Sequence, residues 1–108
     1  MTHYDGLPKL VRDKIPKIAE ENNDEPVVEE LTDNEVKDYV TRKICEEAEE
    51  LHESKENEEL ADLLEVVEKY IELLDVQRDD LDEIRSEKNG KRGSFKENYI
   101  LKETKHLG

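Results

Sequence analysis

The stretch Lys43-Ile44-Cys45-Glu46-Glu47-Ala48-Glu49-Glu50-Leu51, followed closely by Glu59-Leu60-Ala61-Asp62, decides how this chain is read. Both pieces have helical patterning, and each holds a pair of carboxylates three residues apart. Acids are so common in the chain that spacing alone says little. Direction says more. Each helical residue advances about 100° around the axis. Val36, Val40, Ile44, Ala48 and Leu51 then share one arc, with Glu47 near its middle and Glu50 inside it, between the directions of Tyr39 and Val36. Glu49 points to the solvated side.

The second piece repeats the anomaly. Leu60, Leu63, Leu64, Val67, Ile71 and Leu74 form an apolar face. Glu59 projects into its flank beside Leu63 and Val66, and Asp62 lies at its edge. An ionised carboxylate on an apolar face is costly unless it is paired or coordinates a metal. Four of them, Glu47, Glu50, Glu59 and Asp62, outline a cation site between two neighbouring helices. The competing reading is a run of ordinary solvated acids, some paired with Lys43 or Lys69.

Working outward, Thr32-Asp33-Asn34-Glu35 reads as a capping box that starts a long helix over residues 33–53. Ser54-Lys55-Glu56-Asn57 breaks it, with Ser54 placed to cap a second long helix over residues 56–76. So short a connection predicts antiparallel neighbours, which brings Glu47 and Glu50 beside Glu59 and Asp62. Upstream, Asp13 is expected to cap a short helix ending near Glu21, with Pro16 in its first turn. Residues 27–31 read weakly as an extended piece after a turn cluster at residues 22–26. Downstream, Asp79 or Asp80 is expected to cap a third helix that stops before Gly90. Lys88-Asn89-Gly90-Lys91-Arg92-Gly93-Ser94-Phe95 is the one basic, glycine-bearing stretch. The expected fold is an all-α antiparallel helical bundle, in a single domain over residues 1–108.

The bulk numbers narrow the function classes. The chain has 108 residues, 33% hydrophobic and 44% charged, with a net charge of −14. That composition approaches that of disordered chains, but periodic apolar stripes argue for folding. The negative charge disfavours nucleic acid and anionic membranes as partners. No apolar run nears the ~20 residues of a membrane span. Cys45 is the only cysteine, which excludes an internal disulfide framework. It fits a reducing cytoplasm, the expected location. Met1-Thr2-His3-Tyr4 does not read as the start of a signal peptide.

Four carboxylates with no histidine in the apolar arcs favour a hard cation, Mg²⁺ or Mn²⁺. His52 projects away from Glu47 and reads as surface. Magnesium is commonly shared with substrate phosphates. Lys43, Lys91 and Arg92 are the cations expected to meet those phosphates. The apolar face of the second long helix is wider than one neighbour covers, so a homodimer or homotetramer is expected.

The order EExxEL, a helical break, then ELAD resembles the EExxE…ExxD metal motif of the MazG-like all-α nucleotide pyrophosphohydrolases. Lys9-Leu10-Val11-Arg12-Asp13-Lys14-Ile15-Pro16 is similar to the start of a group resembling phosphoribosyl-ATP pyrophosphohydrolase, and residues 88–95 to that group's basic tail element. The resemblance implies that Glu47, Glu50, Glu59 and Asp62 are metal ligands. It also implies that Glu46, with Glu47, serves catalysis by supporting the site or handling the attacking water. The implied activity is hydrolysis of a nucleoside triphosphate, or a phosphoribosyl nucleotide, between its α and β phosphates. In one departure from the pattern, only eight residues separate Glu50 from Glu59. A non-catalytic helical protein whose acidic face binds a basic partner is the alternative.

Overall fold

A computed structural model describes residues 6–107. Met1-Thr2-His3-Tyr4, read above for a signal peptide, lies outside them. Four helices and no strand occur among the described residues: α1 (Ile15–Glu21), α2 (Asp33–Ser54), α3 (Asn57–Leu73) and α4 (Arg78–Arg92). The fold is all-helical, as the patterning predicts. None of these helices is long and apolar enough to cross a membrane. The chain divides into two compact units at Asp75/Val76.

In the first unit, α2 begins at the capping box. The Thr32 amide donates to Glu35 Oε1 (3.3 Å) and the Thr32 hydroxyl donates to the same oxygen (2.8 Å). The helix ends where Lys55 turns left-handed (φ 58°, ψ 24°). A side chain pays about 1–2 kcal/mol for that conformation. Two contacts offset the cost: the Lys55 amide donates to the Leu51 carbonyl (2.8 Å), and its ammonium donates to the His52 carbonyl (2.6 Å). Glu56 resumes an extended backbone and is the N-cap of α3. Ser54 is therefore not the cap itself, but its hydroxyl accepts from the Glu56 amide (3.3 Å) and braces the link. Across this two-residue link α3 packs back along α2. The helix stops at Leu73, three residues earlier than its periodicity suggests.

Two local expectations fail here. Lys14, not Asp13, precedes α1, and no side chain caps it. Pro16 has no amide to satisfy, and the Ile15 amide is taken by the Arg12 carbonyl (3.0 Å), so little is left to cap. Residues 27–31 form no strand: Val27 is 99% exposed, and there is no neighbouring strand to pair with.

The interior of this unit is unusual. Among the described residues its buried side chains are Val40, Glu46 and Glu47, so two of three are carboxylates. Meanwhile Leu60 and Leu64, in the middle of the α3 apolar face, remain about half exposed.

The second unit holds α4 and the residues after it. Gln77, rather than Asp79 or Asp80, is its N-cap. Both aspartates sit in the first turn, where the helix dipole favours negative charge, and Lys91 and Arg92 sit favourably in the last. The helix runs through Gly90, at roughly 1 kcal/mol relative to alanine. It stops at Gly93, whose φ of 78° and ψ of 169° are open essentially to glycine alone.

Candidate metal centre

Helix α2 supplies Glu46, Glu47 and Glu50, and α3 supplies Glu59 and Asp62 from the turn that faces them. One carboxylate oxygen from each of Glu47, Glu50 and Glu59 lies within 4.8 Å of the others. Glu47 is the deepest of the three, 5% exposed. Its Oε1 receives Lys43 Nζ at 3.3 Å. Its Oε2 is buried with no hydrogen-bond partner. A bare buried carboxylate oxygen is among the costlier defects a fold can carry.

The electrostatics agree with the geometry. Burial pushes the Glu47 carboxyl above its ordinary value, and the charges of Glu50 and Asp62 add to this, while Lys43 pulls the other way. Glu50 is also raised, first by burial and then by its contact with Glu59, while its contact with Glu47 pulls the other way. Like charges roughly 4–5 Å apart repel by about 3–4 kcal/mol per pair at an effective dielectric near 20, less where water reaches them. One lysine does not cancel three such charges. Lys43 itself is raised: burial, the largest single influence, lowers it, but its contacts with Glu46 and Glu47 outweigh that.

Glu46 has a different environment. It is 3% exposed, yet Lys9 Nζ reaches its Oε1 (3.1 Å) and Lys43 Nζ its Oε2 (2.9 Å). Both oxygens are engaged. Asp62 lies at the rim, where Arg12 Nη2 holds its Oδ1 at 2.7 Å.

The residues expected from the sequence thus divide. Glu47, Glu50 and Glu59 converge. Asp62 contributes charge to the cluster but is bound to Arg12. Glu46 is adjacent and neutralised by two ammoniums, one of them from Lys43. Lys91 and Arg92 belong to the second unit, on the last turn of α4. His52 is exposed, as its direction predicts, and so is Cys45. Lys9 and Arg12 are the site residues that patterning does not find. They reach across 37 and 50 residues of sequence, and nothing local separates Arg12 from Lys14 or Lys17.

The donor set suits a hard divalent cation. It consists of carboxylate oxygens only, one of them buried and without a partner, in a cluster whose excess negative charge a dication would neutralise. No protein-family model, curated protein or solved structure matches the chain.

Proposed function

We propose that this chain is an Mg²⁺- or Mn²⁺-dependent nucleotide pyrophosphohydrolase of the MazG-like all-α type. Its reaction would split a nucleoside triphosphate, or a phosphoribosyl nucleotide such as phosphoribosyl-ATP, into a monophosphate and pyrophosphate. One observation carries the reading: the buried, partnerless Oε2 of Glu47 within a convergent group of three glutamates. Lys43 reaches only one oxygen of Glu47, and a buried structural carboxylate ordinarily has both engaged, as Glu46 does. The three glutamates are arranged as though something positive belongs among them.

Glu47, Glu50 and Glu59 would hold the cation, with Asp62 next to them. When bound, such an ion neutralises phosphate charge and lowers the pKa of a coordinated water. Glu46 serves by position, holding Lys9 and Lys43 beside the cluster, where their charge offsets part of the repulsion a polyanionic substrate meets. The test is a panel of canonical and modified nucleoside triphosphates and phosphoribosyl-ATP, with Mg²⁺, scored for pyrophosphate. At least one should yield a monophosphate and pyrophosphate in equal amounts. Release of inorganic phosphate and a diphosphate instead would mean a different bond is cut, and no turnover across the panel would count against an enzyme.

A homodimer or dimer of dimers completes the proposal. Among the described residues, a lone first unit fully buries a single apolar side chain, Val40, while Leu60 and Leu64 stay half exposed. Pairing of α3 faces between copies would bury them. Light scattering at micromolar concentration should give two or four times the 12.7 kDa chain mass. A monodisperse particle of one chain mass would contradict it.

A further inference from the structure

We infer that Arg12 is a substrate-binding residue whose guanidinium takes the polyphosphate chain, and that its ion pair with Asp62 stations it at the rim of the cluster. The inference rests on the nucleotide-hydrolase reading above and adds a residue to it. Among the described residues three cations touch the carboxylates, and they are not equivalent. Lys43, 15% exposed, is bound to both Glu46 and Glu47, and Lys9 is bound to buried Glu46. Lys43 cannot leave without stranding the buried charge of Glu47, which is strongly destabilising, and the departure of Lys9 uncovers a buried oxygen of Glu46. Arg12 is 58% exposed and its partner 39%. Exposed ion pairs contribute little to stability, so the Arg12–Asp62 pair is nearly free to break. Its weight in the fold is too small to explain why an arginine spans from residue 12 to this spot.

The chemistry of the substrate supplies a reason. A polyphosphate approaching a chain of net charge −14 and a cluster of four carboxylates is repelled unless cations line its path. Guanidinium offers five donors in a planar fork matched to phosphate oxygens. Asp62 engages Arg12 through Nη2, which leaves further donors for a second acceptor. Loading a cation beside Asp62 would also draw that carboxylate away from Arg12, so the metal that fills the site would free the arginine for phosphate. In the absence of metal the pair keeps Arg12 from straying.

The probe is inorganic tripolyphosphate, which carries the phosphates common to every candidate substrate and no base. Its binding to the Mn²⁺-loaded protein is measured by calorimetry for wild type, Arg12→Ala and Arg12→Lys. Mn²⁺ binding alone is followed by electron paramagnetic resonance. Arg12→Ala is expected to weaken tripolyphosphate binding by about tenfold or more, the scale of hydrogen bonds to charged groups. Arg12→Lys should recover only part, because an ammonium cannot make the two-pronged contact. Mn²⁺ affinity without phosphate should be equal or higher in Arg12→Ala, since Asp62 is released. Tripolyphosphate binding equal to wild type in Arg12→Ala, or full recovery by lysine, would overturn the assignment while leaving the metal-dependent hydrolase standing. Failure of the wild type to bind Mn²⁺ or tripolyphosphate would overturn both.

Discussion

Glu47→Gln is expected to lower Mg²⁺-dependent pyrophosphate release by at least about 10–100-fold while leaving the melting temperature unchanged or higher. Loss of residues that merely orient metal ligands typically costs 10–100-fold, so loss of a ligand should cost no less. The stability half follows from the direction of the Glu47 shift. Burial and the charges of Glu50 and Asp62 outweigh Lys43, so the fold disfavours ionised Glu47. Glutamine keeps the shape and removes the charge. Lys43 retains Glu46 at 2.9 Å and is not stranded. A carboxylate with a purely structural role behaves in the opposite way, since losing it leaves a partner unsatisfied at roughly 1–3 kcal/mol. Turnover and thermal melting of the same variant separate the cases. A protein that melts earlier yet turns over nucleotide at the wild-type rate would remove Glu47 from the chemistry.

The second large effect is on the metal-free protein. Glu47 and Glu50 both titrate above the usual carboxylate value of 4.5 in the fold. Their stabilising contribution is therefore complete below about pH 4.5 and is lost as pH rises through the elevated folded values. Metal-free protein should lose stability from mildly acidic to neutral pH, and the combined Glu47→Gln, Glu50→Gln variant should lose less. That comparison removes the background slope from the other acids. Mn²⁺ should reverse the loss. At a hundred times its dissociation constant a ligand adds about 2.7 kcal/mol, or roughly 10–20 °C for a domain near 100 residues. Because ligands must be deprotonated, the gain should be larger at pH 7.5 than at pH 5. An equal gain at both values, or an equal gain in the double glutamine variant, would place the ion elsewhere.

The parts of this molecule that can be read from its sequence are those governed by local rules. Apolar spacing places α2 and α3, and the capping box at Thr32 and Glu35 sets where α2 begins. The short link then brings Glu47, Glu50 and Glu59 together, and the eight-residue spacing between Glu50 and Glu59 does not prevent it. Helix ends are read less well, because weak local signals compete there. Asp13 is a good cap by type, but a backbone turn from Arg12 takes the Ile15 amide first; Ser54 does accept an amide, that of Glu56, but one that precedes the first turn of α3. Gly90 looks like a stop, yet the glycine that ends α4 is Gly93, the one whose backbone conformation other residues cannot adopt. Arg12 and Lys9 were hidden for another reason. Their contacts depend on how a segment without regular structure crosses the helix pair, and no periodicity encodes that path.

Whether these carboxylates are a metal centre is tested most directly by locating Mn²⁺ in crystals by its anomalous scattering. One ion per chain is expected among the carboxylates of Glu47, Glu50 and Glu59, about 2.1 Å from their oxygens, the distance typical of octahedral oxygen sites. Mn²⁺ found only on exposed surface acids, with the buried oxygen of Glu47 still bare, would contradict it.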